Sequence, residues 1–209
     1  MGLLIIVGAG ALARDLIEIF GRDNFAAIYV DPGFAAEPIA GLPVVDNWVR
    51  ARELGSEVVL GIADIAQRTR TMQQAVAGGL LPARPMVSAH AIVSASARIG
   101  PGCVVTHQAV IGPSVHLVCN VLIMHGVIVG HDSVIHNQGV ICAGASIAGG
   151  VVLEDGCFVG PNAAIAPKVR IAAGSFLSAG SACLRSVPRR SVLIGNPARS
   201  VAPDANSCL

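Results

Sequence analysis

Residues 91–184 read AIVSASARIGPGCVVTHQAVIGPSVHLVCNVLIMHGVIVGHDSVIHNQGVICAGASIAGGVVLEDGCFVGPNAAIAPKVRIAAGSFLSAGSACL. Every sixth residue from Val93 is apolar: Val93, Ile99, Val105, Ile111, Leu117, Ile123, Val129, Ile135, Ile141, Ile147, Leu153, Val159, Ile165, Ile171, Leu177 and Cys183, sixteen positions without a miss. Two residues before each stands a small or β-branched one, from Ala91 and Ala97 through Val127 and Ser133 to Ser175 and Ser181. Helical faces repeat at 3.6 residues and half-buried strands at 2. A period of six with two inward positions therefore predicts short strands separated by repeated corners, a solenoid of the parallel β-helix kind.

The beat resembles that of the hexapeptide-repeat acyltransferases, whose repeats form a left-handed parallel β-helix of triangular section. That resemblance implies three hexads per coil, so that residues 18 apart stack on one another. The left hand, an exception to the right-handed crossover rule, rests on the resemblance. Sixteen hexads make five coils and a third, with no insertion between them, whereas many relatives carry a protruding loop.

A chain of 209 residues has room for one or two domains. Aromatic content of 3% beside 24 Gly and 53% hydrophobic residues suits a narrow solenoid interior. The net charge of +1 points to neither nucleic acid nor an anionic membrane as partner. The apolar start, Leu3 to Val7, is too short for a membrane span and lacks the basic flank of a signal peptide. Cys103, Cys119, Cys142, Cys157, Cys183 and Cys208 show no CxxC spacing and fall mostly on or beside inward positions. They read as packing thiols in a reducing cytoplasm.

Residues 1–85 follow another pattern. Leu3–Val7 suits a buried parallel strand, and Gly8-Ala9-Gly10-Ala11-Leu12-Ala13 follows at once. Arg14 to Phe20 has helical spacing, a second strand from Ala26 to Val30 ends on Asp31, and a third runs from Glu57 to Ile62 through Gly61. A helix is expected from Ala63 to about Ala77. This is the G-x-G-x-x-G/A fingerprint in its strand, turn, helix, strand and acid setting. A full dinucleotide site takes two such halves and six strands, so one nucleotide moiety is the safer inference. Gly8, Gly10, Ala11, Asp31 and Gly61 are the candidate substrate-binding residues. Pro82 and Pro85 suggest a linker into the β-helix. The fold expectation is an α/β Rossmann-like βαβ domain over residues 1–85, followed by an all-β left-handed parallel β-helix with a C-terminal tail over 86–209.

The pairing of these domains, with Val7-Gly8-Ala9-Gly10, Gly41-Leu42-Pro43-Val44, Gly130-His131-Asp132 and Gly195-Asn196-Pro197-Ala198-Arg199, resembles the group of sialic-acid O-acetyltransferases and bacillosamine-pathway aminosugar N-acetyltransferases. The resemblance covers the whole chain. It implies acetyl transfer from acetyl-CoA, without a metal, to a nucleotide-activated amino sugar of the 4-amino-4,6-dideoxy type. It also implies a homotrimer with active sites between neighbouring β-helices.

Acetyl transfer needs a proton removed from the attacking amine or hydroxyl, which a histidine does well near neutral pH. His131 falls at a corner two residues after the inward Val129, and the resemblance makes it the base, with Asp132 orienting it. His107, His116 and His136 read as solvated corner or face residues. One coil beyond His131 stands Gly149, whose lack of a side chain leaves room for the thioester and whose N–H is a candidate to stabilise the developing oxyanion. The column through His107 and His125 continues as Ala143, Pro161 and Ala179, losing bulk toward the C-terminus. The resemblance carries coenzyme contact onto Gly149, Pro161, Ala179 and Gly180, and Arg185, Arg189, Arg190 and Arg199 cluster where its phosphates would lie.

The chain departs from that group in places. It has Ala11-Leu12-Ala13 where relatives often have Gly-Gly-His, Asp31-Pro32 for an acid pair, Met124 for an Asn before the base, and Val140 for a coenzyme-side histidine. These leave the acceptor open. O-acetylation of a sialic-acid-like sugar is the alternative. A metal hydratase resembling the γ-type carbonic anhydrases is a third reading, because His107 and His125 stack 18 apart, although no third histidine has an evident position and residues 1–85 would go unused. A non-catalytic scaffold would make His131 dispensable.

Overall fold

The computed structural model describes residues 2–34 and 36–201. Contacts divide the chain into two compact units, Met1–Ser88 and Ala89–Leu209. Cys208 lies outside the described residues.

The first unit contains β1 (Leu4–Val7), α1 (Ala11–Phe20), β2 (Phe25–Tyr29), β3 (Val44–Val45), α2 (Trp48–Leu54), β4 (Glu57–Leu60), α3 (Ile65–Ala77) and β5 (Leu81–Pro82). The strands form one parallel sheet in the order β3-β2-β1-β4-β5. Strand order reverses at β1, with β2 on one side and β4 on the other, and ligands of open α/β sheets bind beyond the strand ends at such a switch. Every residue of β1 is buried, as its continuous apolar run requires. Sequence periodicity finds β1, β2, β4, α1 and α3 to within a few residues. It misses α2, whose start is set by the Asn47 side chain accepting from the Arg50 amide. Pro82, read as the start of a linker, pairs instead with Val58 as part of β5.

The second unit is a left-handed parallel β-helix of two-residue strands. One face stacks Ile92–Val93, Val110–Ile111, Ile128–Val129, Ser146–Ile147, Ala164–Ile165 and Ala182–Cys183. A second runs from Arg98–Ile99 through His116–Leu117, Val134–Ile135 and Val152–Leu153 to Arg170–Ile171. The third passes from Val104–Val105 through Leu122–Ile123, Val140–Ile141 and Phe158–Val159 to Phe176–Leu177. Partners are 18 residues apart, as the resemblance implies. Phe176 then pairs with Val192, only 16 further on, and an antiparallel strand Arg199–Val201 closes that face.

The sixth-residue positions fill the prism. From Val105 to Cys183 all are buried, while Val93 and Ile99, on the opening coil, are only partly covered. Serines at the small inward positions have partners: Ser133 Oγ donates to the Ala148 carbonyl and accepts from the Val151 amide, and Ser175 Oγ accepts from the Ser191 amide. Burial pushes the Cys142 thiol up to about 11 and that of Cys157 to about 12, so both remain thiols at neutral pH. The five cysteines described are free of disulfides.

Corners are equally regular. Every sixth residue from Gly102 to Gly180 has positive φ: Gly102, Gln108, Ser114, Asn120, Gly126, Asp132, Gln138, Gly144, Gly150, Gly156, Asn162, Lys168, Gly174 and Gly180. Glycine and asparagine adopt this conformation readily, and larger side chains at some cost.

Truncating the prism core at Ile147, 1% exposed, should lower stability by about 2–5 kcal/mol in Ile147→Ala. Ser146→Ala, on the outer face of the same strand, should change it by less than about 0.5 kcal/mol. Chemical unfolding followed by circular dichroism separates the two.

Candidate active site

Two sites emerge, one in each unit. In the first, β1 is followed by Gly8, which has φ +95, and a Cβ there would lie 2.7 Å from Ile62 Cγ2. Both conformation and space therefore demand glycine. Gly10 has extended backbone and caps α1 with no side-chain hydrogen bond, and α1 has no acidic residue in its first turn. The leading amides of α1 thus favour an anion. A Cβ on Gly61 would lie 2.8 Å from the Val7 carbonyl and 3.0 Å from Ala13 Cβ, so Gly61 lets β4 approach β1 and α1 closely.

Gly8, Gly10, Ala11, Asp31 and Gly61, the residues expected from sequence, all line one cavity of about 340 Å³ beyond the strand ends. Asp31 pairs with Arg70 at 3.6 Å. Tyr29, at the end of β2, stacks on Trp48 with ring centroids 3.5 Å apart. Its phenol is held above the ordinary value by burial first and then by Asp31 and Asp46, so it stays neutral. Phe34, Gln67 and Thr71 are also part of the lining. Sequence reasoning missed these three, because on α3 the polar pair 67 and 71 has the spacing of an ordinary solvated helix face.

The second site lies at a β-helix corner. Adjacent residues of an extended strand point apart, yet His131 Nδ1 and Asp132 Oδ2 are 2.8 Å apart. The positive φ of Asp132, 58°, turns its carboxylate back to the ring. The backbone is tied to both neighbouring coils: Asp132 N–H donates to the Pro113 carbonyl, and Gly150 N–H donates to that of His131. Both side chains are exposed, at 69% and 66%.

The imidazole lies over Gly149. A Cβ at Gly149 would come within 2.5 Å of His131 Nε2 and 2.7 Å of Cε1. The sequence reading reserved that space for a thioester; the histidine ring itself fills it. The Gly149 amide makes no hydrogen bond within the described residues, whereas the carbonyl accepts from Lys168 N–H.

Pro161, Ala179 and Gly180 do not join Gly149. The face built on Ile128–Val129, Ser146–Ile147 and Ala164–Ile165 lies between them, with the His131 and Gly149 corners on one edge and the His125, Pro161 and Ala179 corners on the other. At the upper end of that second edge His90, His107 and His125 form a ladder of rings, with centroids 5.0 and 6.2 Å apart. His125 Nδ1 is 3.3 Å from Thr106 Oγ1. A third histidine therefore does accompany His107 and His125, although residue 90 stands off the 18-residue register. Within one chain, no group of three His, Cys, Asp or Glu side chains among the described residues could hold a metal ion. His107, His116 and His136, expected to be solvated, are all half-buried.

Arg185, Arg189 and Arg199 line a cavity of about 730 Å³ at the last turn of the prism. Arg190, expected with them, packs instead over Gly174 and donates to its carbonyl. Among the described residues no helix is long and apolar enough to cross a membrane.

Comparison with known proteins matches no family model. No curated protein matches in sequence. Solved structures do match over nearly the whole chain. A histidine-to-asparagine mutant of perosamine N-acetyltransferase from Caulobacter crescentus, in complex with CoA and GDP-perosamine, superposes with a TM-score of 0.89 at 26% identity, over 97% of this chain and 98% of that one. PerB from the same organism, with the same two ligands, gives 0.87 at 28% over 97% and 98%. The chain has the left-handed β-helix fold of these hexapeptide-repeat sugar acetyltransferases. The acetyltransferase domain of PglB from Neisseria gonorrhoeae FA1090, in complex with acetyl coenzyme A, shares the fold with a TM-score of 0.85 at 22% identity, over 95% and 98%.

The fit of the ring over Gly149 is testable. Gly149→Ala should displace the His131 ring and lower kcat by about tenfold or more. The unfolding midpoint should barely move, because the exposed ring can swing into solvent. Steady-state kinetics and thermal unfolding together read both effects.

Proposed function

We propose that the chain transfers acetyl from acetyl-CoA to the amino group of a nucleotide-linked amino sugar of the 4-amino-4,6-dideoxy type. The observation that carries the chemistry is the His131–Asp132 contact above Gly149. Whole-length similarity to enzymes solved with CoA and GDP-perosamine supports the substrate pair.

With Nδ1–H donated to Asp132, His131 presents the lone pair of Nε2 as base. The sugar nitrogen attacks the thioester carbonyl, and a new C–N bond forms while its proton passes to Nε2. The Gly149 amide, without a hydrogen bond of its own among the described residues, would donate to the developing oxyanion. Collapse breaks the C–S bond, and the proton held on Nε2 restores the thiol of CoA. Asp132 stabilises the imidazolium between these two transfers.

Gly149 and the Pro161, Ala179 and Gly180 column occupy opposite edges of one face. One coenzyme touching both sets is most simply accommodated between the edge of one subunit and the opposite edge of the next, as in a homotrimer. The cavity lined by Arg185, Arg189 and Arg199 follows about three coils after His131, some 14 Å at the spacing of stacked strands. That is the scale of an extended pantetheine arm, and these guanidinium groups suit the coenzyme phosphates. The cavity at Gly8, Gly10, Ala11, Asp31 and Gly61 is the proposed seat of the nucleotide.

Free-thiol release from acetyl-CoA, measured against nucleotide-linked 4-amino sugars and free sialic acid, tests the reading. Turnover with an amino sugar is expected, with kcat about 10²–10⁴-fold lower in His131→Ala. Turnover with sialic acid alone would replace it by O-acetylation. Full activity in His131→Ala would remove the base from the mechanism.

A further inference from the structure

The cavity of the first unit holds a buried polar group that the fold leaves without a partner. Thr71 lies on α3 and is 1% exposed. Its Oγ1 is closed to solvent and has no hydrogen-bond partner. A helical threonine normally answers this need itself, by donating to the carbonyl four residues back. Thr69, on the same helix, does so, donating to the Ile65 carbonyl at 2.9 Å. Thr71 has the same option toward residue 67 and does not take it. A buried hydroxyl without a partner is costly, and valine would fill the same volume without that cost.

The surroundings indicate what completes it. Thr71 lines the cavity beyond the ends of β1, β2 and β4, and so does Gln67, one turn earlier on the same helix face. Phe34, 63% exposed, stands on the same lining. An exposed aromatic ring offers a platform for a planar ligand, while a carboxamide and a hydroxyl side by side offer donors and acceptors to its edge. The uncapped amides of α1 belong to the same cavity and suit a phosphate. A planar heterocycle joined to a phosphate is a nucleotide.

We propose that Thr71 is a specificity-determining residue of the substrate site, its hydroxyl hydrogen-bonding the edge of the nucleobase beside the Gln67 carboxamide, with Phe34 stacked on the ring. This rests on the reading of the substrate as nucleotide-linked. A site built to hydrogen-bond a base discriminates through that bond, because the wrong edge leaves the buried hydroxyl unanswered.

The test uses the full-length protein with Thr71→Val and Thr71→Ser. Calorimetry measures binding of UDP, GDP, dTDP, ADP and inorganic pyrophosphate, and thermal unfolding is recorded without ligand. Thr71→Val should bind the preferred diphosphate about tenfold more weakly, flatten the ranking of the four bases and leave pyrophosphate unchanged. Its unliganded midpoint should equal or exceed that of the wild type. Thr71→Ser should stay within about twofold of the wild type. Stability and affinity moving in opposite directions is a result that a merely structural threonine does not give. Unchanged affinity and ranking in Thr71→Val would overturn the role of Thr71 alone, and so would a lowered unliganded midpoint. A wild type that binds none of the four diphosphates would overturn the nucleotide-linked substrate as well.

Discussion

A left-handed backbone turn at every sixth residue is the constraint on which the β-helix depends. From Gly102 to Gly180 the positive-φ position never slips, and each such turn bends the chain into the next face while delivering the following inward residue to the prism. Uninterrupted hexads keep residues 18 apart in register, so backbone N–H and C=O groups pair coil to coil along each face. Where the hexads end, after Cys183, the pairing distance falls from 18 to 16 and an antiparallel strand closes the face.

The His131–Asp132 pair is a by-product of that turn. Asp132 occupies a position that elsewhere holds glycine, asparagine, glutamine, serine or lysine, and its positive φ brings the carboxylate to within 2.8 Å of the preceding imidazole. The next coil contributes by omission. Gly149 must lack a side chain for the ring to rest there, and the distances to a hypothetical Cβ show how little space remains. A device that serves the fold thereby holds a candidate base and its partner without a loop insertion. The first unit is arranged in a comparable way. Gly8 and Gly61 allow β1, β4 and α1 to approach closely, and the resulting strand ends open a cavity whose polar floor comes from α3.

Much of this was legible because periodicity is a one-dimensional property. The sixteen apolar positions predicted the prism core, and only the opening pair, Val93 and Ile99, is incompletely covered, for want of a coil above. The glycine fingerprint and Asp31 located the first cavity because its residues lie at the ends of strands that the apolar runs define. What the sequence did not show has a common physical source. Residues named together, such as Gly149 and Pro161, lie on different edges of the prism. Arg190 turns to a backbone carbonyl rather than to the cavity of its neighbours. Thr71 and Thr69 look alike in a string, yet one bonds its own helix and the other leaves its hydroxyl unanswered.

The sequence by itself determined the repeat, the two-part organisation and the candidate residues, because strand and corner preferences act between near neighbours and recur at fixed spacing. Tertiary structure alone decided which of those residues meet. The sign of φ at Asp132, the stacking of His131 on Gly149 and the burial of a single hydroxyl depend on packing between segments distant in the chain.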